Sequence, residues 1–139
     1  MQNYRKAALR HFDDGDYLLD DHRLPNADHH YGVAAECALK AIMRGLGMPM
    51  KLPSGQMPKY PHNVHVNELW SLFHIFANGN SGSVYSSLVP SANPFVNWSV
   101  HDRYEDGSKY TSAMLADHKV GASETLACMN QAFVDGVVR

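Results

Sequence analysis

The sequence predicts an all-α protein, folded as an antiparallel bundle of four to five helices. Apolar residues recur every three or four positions in several segments of the 139-residue chain, which is the spacing of one helix face. No segment combines alternating apolar and polar residues with β-branched side chains, as a half-buried strand would. Proline and glycine clusters divide the periodic segments into helix-sized lengths, and consecutive helices joined by short connections pack antiparallel.

The first helix is predicted over residues 2–22. Its inner face is expected to carry a set of spaced apolar residues: Tyr4, Ala8, Phe12 and Leu19. Gly15 lies inside this segment and weakens it, because glycine loses more backbone entropy in a helix than any other residue.

The clearest helix is predicted over residues 27–46, and both of its ends are marked. Pro25 suits a first helical turn, Gly47 suits the left-handed cap after the last turn, and Pro49 prevents continuation. The core-facing stripe recurs at helical spacing: Tyr31, Ala34, Ala35, Ala38, Leu39, Ile42 and Leu46. On the opposite side, charged residues repeat every four positions: Glu36, Lys40 and Arg44. We expect this charged face to meet water or a ligand.

The second half of the chain predicts three more helices after a long loop at residues 48–61, which holds four of the seven prolines. A third helix is expected over about 64–77, a short one over 83–89 and a closing helix over 111–137. The third has an apolar stripe of Val66, Leu69, Trp70, Phe73 and Phe76. The closing helix has one of Ala122, Leu126, Met129, Phe133 and Val137.

Composition bounds the class of protein. A chain of 139 residues with 45% hydrophobic and 19% charged residues is expected to form one globular domain, numbered 1–139. No apolar run approaches the roughly 18 residues of a membrane-spanning helix, and no secretory signal is visible near residue 1, so a cytoplasmic protein is predicted. The net charge of −2 and the lack of a strongly basic segment disfavour a high-affinity nucleic-acid binder that ignores sequence.

The two cysteines, Cys37 and Cys128, lie far apart and in helix-like sequence. Neither belongs to a Cys-x-x-Cys pair, so a zinc or redox motif is not indicated. We expect both to be buried, reduced thiols that act as small hydrophobic side chains.

Several strings, taken together and in this order, resemble the HEPN family (higher eukaryotes and prokaryotes nucleotide-binding). The strongest is the Gly-x-x-Ala-Glu-Cys-x-Leu-Lys run at residues 32–40, preceded by Asn-Ala-Asp-His-His-Tyr at 26–31. Looser features are His62 ahead of a helix, and Trp98 followed by the pair at 103–104. The resemblance spans about residues 7–135.

The resemblance implies a helical bundle, commonly a homodimer, that handles RNA or nucleotides, often in toxin, defence or stress-response systems. Many members are metal-independent ribonucleases with an Arg and a following His that have four to six residues between them. An Arg fork can hold the scissile phosphate, and a His can transfer protons near neutral pH.

This chain departs from that pattern. Arg103 lies in the expected region, but Ser108, Lys109 and Tyr110 occupy the positions of the histidine. Catalysis by the usual pair is therefore in doubt. The spacing is met instead by Arg23 with His29 or His30, ahead of the second helix. A ribonuclease using those residues, aided by Arg103, is one hypothesis.

The preferred hypothesis is a module that binds RNA or a nucleotide. Six residues are its candidates: Arg103, Tyr104, Lys40, Arg44, His62 and Trp98. An arginine beside aromatic rings can grip a phosphate while a base stacks nearby. The alternative is that Trp98 and Tyr104 fill the edge of the core and Arg103 pairs with Glu36, which would then be a structural polar residue. Glu36 and Lys40 are open to the same two interpretations.

No metal or other cofactor is predicted. The carboxylate-bridged bundles use Glu-x-x-His, and no glutamate here has a histidine at that spacing. A different metal site stays open among the histidines: His29, His30, His62, His65 and His118. Five aspartates between residues 13 and 21 are expected to form a solvated face, with a bound divalent ion as the alternative: Asp13, Asp14, Asp16, Asp20 and Asp21. The third hypothesis is a structural or regulatory partner in a two-component system, bound to a protein encoded nearby.

Overall fold

The computed structural model describes residues 1–58 and 61–139, and it confirms the all-α class. It contains five α-helices and one 3₁₀ segment: α1 (Tyr4–Asp20), α2 (Leu24–Gly45), α3 (Val66–Gly79), α4 (Ser83–Leu88), the 3₁₀ segment (Val100–Tyr104) and α5 (Ser112–Val134). Over these residues there is no β-strand, only an isolated bridge between Lys51 and Gln56. Within the part of the chain described, no helix is long and apolar enough to cross a membrane.

Helix α2 lies at the centre of the bundle. Its neighbours are α1, α5, α3 and the 3₁₀ segment, and α4 packs between α3 and α5. Helix α1 runs antiparallel to α2, because the Phe12 ring contacts the Tyr31 ring near one end while Arg44 bonds to the Gln2 carbonyl at the other. Every helix contributes to one buried apolar cluster, whose largest members are Trp70, Trp98, Tyr31, Phe73 and Phe95.

Both predicted ends of α2 are close to the observed ones. The helix begins at Leu24 rather than residue 27, with Pro25 in its first turn. At the other end Gly47 takes a positive φ of 103°. The Gly47 and Met48 amides donate to the carbonyls of Arg44 and Met43, which is the hydrogen-bond pattern of a Schellman cap.

The predicted charged face of α2 does not meet water at two of its three positions. The side chains of Glu36 and Lys40 are 12% and 6% exposed, and only Arg44 is exposed. The covering residues come from the segment ahead of α3, where Asn63 and His65 bond to this pair. The sequence pattern correctly placed these charged residues on one face of α2. It could not show that this face is covered, because the covering segment lies over twenty positions away in the chain.

The ends of the later helices also differ from prediction. Helix α5 ends at Val134, and Phe133, expected on the inner face, is 44% exposed. Its ring is covered instead by the Arg5 guanidinium, whose Cζ lies 3.8 Å from the ring centroid. The predicted loop over 48–61 includes residues 59 and 60, which lie outside the described residues; the rest of it contains no helix or strand.

Both cysteines are buried, as predicted. Burial raises the pKa of the Cys37 thiol to about 12, with the charge of Glu36 adding to the effect. Burial likewise raises the pKa of Cys128 to about 12. Each thiol is therefore protonated near neutral pH and a poor nucleophile.

Gly32, in the motif that carries the HEPN resemblance, is required by close packing. A Cβ at this position would lie 2.1 Å from Cε2 of Trp98. The Trp98 indole therefore packs directly against the α2 backbone, and its Nε1 donates to the Asp28 carbonyl at 3.1 Å. This contact fixes the loop ahead of the 3₁₀ segment on α2.

Candidate functional sites

Helix α2 and the segment ahead of α3 form a polar network that is largely covered from solvent. Lys40 Nζ donates to Glu36 Oε1 at 2.7 Å and to Asn63 Oδ1 at 3.3 Å. His65 Nδ1 lies 3.0 Å from Glu36 Oε2. Burial alone would raise the pKa of Glu36, but its hydrogen bond to His65 and the charge of Lys40 outweigh burial and lower it. Glu36 is thus a carboxylate that ties α2 to the segment before α3.

A second covered network contains His118 of α5, which is 1% exposed. Its Nδ1 is hydrogen-bonded to Oδ1 of Asp28 on α2, and its Nε2 lies 3.0 Å from Oδ1 of Asn97. The ring also stacks on Phe95, with centroids 5.0 Å apart. Both ring nitrogens have partners, so this histidine joins three parts of the fold and offers no free lone pair to a ligand.

The 3₁₀ segment presents Arg103 and Tyr104 on the surface. The Arg103 Cζ lies 4.9 Å from the centroid of the Tyr104 ring, and the ring is 76% exposed. Trp98, predicted to join them, is only 1% exposed and belongs to the core. Arg103 does not pair with Glu36, whose oxygens are bonded to Lys40 and His65.

The predicted catalytic residues of the ribonuclease hypothesis are not joined by any hydrogen bond among the described residues. Arg23 is exposed and bonds through Nε to Asp21, next to the start of α2. His29 lies six positions further along the chain, with its ring stacked on that of Trp98 and the ring centroids 5.9 Å apart. Burial lowers the pKa of His29, and the charges of His30 and Arg103 lower it further. Arg103 is therefore close enough to act on His29 electrostatically.

Two other predicted binding residues lie apart from this group. His62 packs edge-on against Phe76 with centroids 5.6 Å apart, and it does not cap α3, whose N-cap is His65. Arg44 lies near the far end of α2. Its Nη1 donates to the Gln2 carbonyl at 3.2 Å. By the helical rise of about 1.5 Å per residue, Arg44 is about 20 Å from His29.

Arg44 lines a cleft of about 680 Å³ at the end of the bundle, formed by residues 1–5, the last turn of α2 and residues 136–139. Two further arginines line it, Arg5 and Arg139, together with apolar side chains that include Tyr4 and Val138. Among the described residues, no Asp or Glu side chain lines the cleft, and none forms an ion pair with these three arginines.

The guanidinium groups in this cleft have few protein partners. Arg5 lies over the Phe133 ring, and its buried Nε has no hydrogen-bond acceptor within the described part of the chain. Among residues 1–58 and 61–139, Arg44 bonds only to the Gln2 carbonyl and, at 3.9 Å, to the sulfur of Met1. The cleft is therefore a concave, positively charged space of the size that small ligands occupy.

A third group of side chains lies where the middle of α1 crosses α2. His11 and His30 face each other, with their Nδ1 atoms 3.0 Å apart. Asp14 is one turn from His11, and one ligand atom from each of the three residues lies within 4.8 Å of the others. Burial lowers the pKa of His11, and the charge of His30 adds to the effect. Two imidazoles and a carboxylate are a donor set that can hold a metal ion.

The charges of α1 oppose its helix dipole. Its basic residues all lie in the first half: Arg5, Lys6 and Arg10. Its acidic residues all lie in the second half: Asp13, Asp14, Asp16 and Asp20. The opposite order would stabilise the helix by about 0.3–1 kcal/mol for each terminal charge.

The sequence indicated one cleft residue, Arg44, and two members of the histidine cluster: His30, as a catalytic residue or a metal ligand, and Asp14, as one of five clustered aspartates. Arg5 and the charge reversal along α1 are also visible in the sequence. His11 and Asp14 stand at His-x-x-Asp spacing, the reverse order of the Glu-x-x-His motif. His30 comes close to His11 and Asp14 because of the register between α1 and α2. That register cannot be derived from residue spacing within one helix.

Comparisons of the chain with protein-family models, with curated proteins and with solved structures found no match. The HEPN resemblance therefore stays a prediction, made from the residues at 26–40, 62 and 98–104.

Proposed function

We propose that this chain is an HEPN-like helical module that binds the phosphate groups of a nucleotide or RNA, without the family's usual catalytic Arg/His pair. The observation that supports it best is the end cleft, where Arg5, Arg44 and Arg139 line one concave space with no acidic side chain among the described lining residues. This is a local concentration of positive charge in a chain whose net charge is −2.

The chemistry of the cleft favours a phosphate ligand. Arginine presents a planar fork of donors that matches two phosphate oxygens, and it stays charged at any physiological pH. The volume of about 680 Å³ falls within the range of sites that bury small organic ligands. Tyr4 and the apolar side chains of the lining supply a surface on which a base can pack.

The exposed pair Arg103 and Tyr104 supports a longer ligand. The loop that leads into their segment is fixed at Asp28 of α2, which by the helical rise of about 1.5 Å per residue lies about 24 Å along the helix axis from Arg44. A mononucleotide cannot touch both, whereas a single strand of several nucleotides can. The aspartates in the second half of α1 repel a phosphate backbone, so the strand would avoid that surface.

The proposal includes two further expectations: the module forms a homodimer, as the resemblance implies, and it acts in the cytoplasm. A non-catalytic structural or regulatory partner in a two-component system, bound to a protein encoded nearby, stays an alternative to it. No cofactor is needed for phosphate binding. The ribonuclease alternative requires Arg23 to act with His29 or His30, and what favours it is that the positive charge of Arg103 helps to lower the pKa of His29, after burial and the charge of His30.

Binding is tested with a fluorescent ATP analogue and a labelled single-stranded RNA of about ten nucleotides, each titrated with the protein at two salt concentrations. Arg44→Ala is expected to weaken both complexes by about tenfold or more, because a charge-assisted hydrogen bond is lost. Arg10→Ala removes the same charge from the same hairpin outside the cleft and is the matched control. Arg103→Ala should weaken RNA binding alone.

The proposal fails if Arg44→Ala and Arg10→Ala change the affinities equally, or if neither probe binds at low salt. If the wild type cleaves the RNA, and His29→Ala or His30→Ala loses cleavage but still binds, the ribonuclease alternative is established instead. If both variants cleave RNA as fast as the wild type, the ribonuclease alternative is wrong.

A further inference from the structure

The cluster of His11, Asp14 and His30 is independent of the arginine cleft. His11 and Asp14 come from adjacent turns of α1, and His30 comes from the facing helix. All three lie on the seam between α1 and α2, and they are partly accessible: the two histidines are half-buried and Asp14 is exposed. An ion from solution can therefore reach them.

The register of the two helices holds these side chains close together. On α2, Tyr31 follows His30, and its hydroxyl donates to Asp16 Oδ1 at 2.6 Å. The Tyr31 ring packs on Phe12, with ring centroids 5.5 Å apart. A Cβ at Gly15 would lie 2.9 Å from the same ring, so glycine allows this close approach. The neighbours of all three cluster residues are thus fixed by packing.

The spacing of the donor atoms fits a metal ion. The Nδ1 atoms of His11 and His30 are 3.0 Å apart, whereas two nitrogens bound to one tetrahedral Zn²⁺ at about 2.0–2.1 Å lie about 3.3 Å apart. In the absence of an ion, one of these nitrogens donates a hydrogen bond to the other, so a bound metal ion would replace that hydrogen bond. Asp14 has no hydrogen bond or ion pair among the described residues, so its carboxylate is available to complete the set.

We propose that His11, Asp14 and His30 form a binding site for a divalent first-row transition ion of the Zn²⁺ type. Two imidazole ligands favour such ions over Mg²⁺ and Ca²⁺, which prefer oxygen ligands. Three protein ligands leave a coordination position open to water or to an anionic ligand. The buried His118 does not offer such a site, because both of its nitrogens are already bonded.

The test is a titration of the metal-free, untagged protein with Zn²⁺ in competition with a chromophoric chelator, and with Co²⁺ followed by its visible absorption. The wild type is expected to bind one equivalent. His30→Ala should abolish the Co²⁺ spectrum, and Asp14→Asn should weaken Zn²⁺ binding by at least about tenfold. Asp14 is exposed, so this variant is expected to fold normally.

Two control variants match these changes in residue type. Asp13→Asn removes the adjacent carboxylate, and His101→Ala removes an exposed histidine of the 3₁₀ segment. Both should bind Zn²⁺ as the wild type does. The assignment is overturned if the wild type binds less than one equivalent, if Asp13→Asn weakens binding as much as Asp14→Asn, or if His30→Ala retains the spectrum. None of these outcomes depends on phosphate binding at Arg44.

Discussion

Lys40 and Arg44 lie one turn apart on the same face of α2, yet their surroundings are opposite. The Lys40 side chain is 6% exposed and bonds to Glu36 and Asn63. Arg44 is exposed, bonds to a backbone carbonyl and faces a cleft with two other arginines. The difference comes from the segment ahead of α3, which covers one turn of this face and leaves the next open.

The comparison separates charges that hold the fold from charges that are free to bind. A buried charge with several partners is costly to remove, because its partner is left uncompensated. An exposed charge without a carboxylate partner adds little stability, so it can bind a ligand without weakening the fold. The same contrast separates His118, with two bonded nitrogens, from His11 and His30, which face each other.

The most deeply covered pair, Asp28 and His118, should show the largest effect. Asp28→Ala leaves the buried His118 without its Nδ1 partner and is expected to lower the free energy of unfolding by about 3–5 kcal/mol. Asp117→Ala, the exposed neighbour on α5, should change it by less than about 0.5 kcal/mol. Urea denaturation measures both. Similar values for the two variants would show that Asp28 does not stabilise the fold.

The comparison between Lys40 and Arg44 can itself be tested by the same method. Lys40→Ala should cost about 3 kcal/mol, because Glu36 keeps only the His65 partner in a buried setting. Arg44→Ala should cost less than about 0.5 kcal/mol. If Arg44→Ala is the more destabilising variant, the cleft arginine is structural and the comparison is wrong.

A smaller effect is expected from the pH dependence of stability at His65, the exposed member of the network around Glu36. The hydrogen bond to Glu36 raises the pKa of His65, so the stability from this pair is present below the ordinary histidine pKa and is lost as pH rises through the folded value. The His65 side chain is 51% exposed, so solvent screening keeps the contribution below about 1 kcal/mol.

The check compares wild type with His65→Ala in urea at about pH 6 and about pH 8.5. The stability difference between them should be larger at the lower pH. A larger difference at the higher pH would contradict the assigned sign. Below the ordinary glutamate pKa a separate loss is expected, since the pKa of Glu36 is lowered and its pairing fails once the folded form takes up a proton.

The sequence predicted most of the fold because its signals are local. Periodicity identified the helices, and Pro25 and Gly47 marked the ends of α2. The sites were harder to predict, because each joins residues far apart in the chain. The covering of Lys40 by Asn63, and the meeting of His11 with His30, depend on how separate helices pack. Spacing within one helix gives the face of a residue, but not what lies over it.

The central claim is that the arginines of the end cleft bind phosphate. The most direct measurement is an NMR titration of the ¹⁵N-labelled protein with ATP, which follows the Nε–H signals of individual arginine side chains. We expect the signals of Arg5 and Arg44 to shift together and saturate, while those of Arg10 and Arg23 stay in place. Shifts confined to Arg103, or equal shifts at every exposed arginine, would contradict the claim.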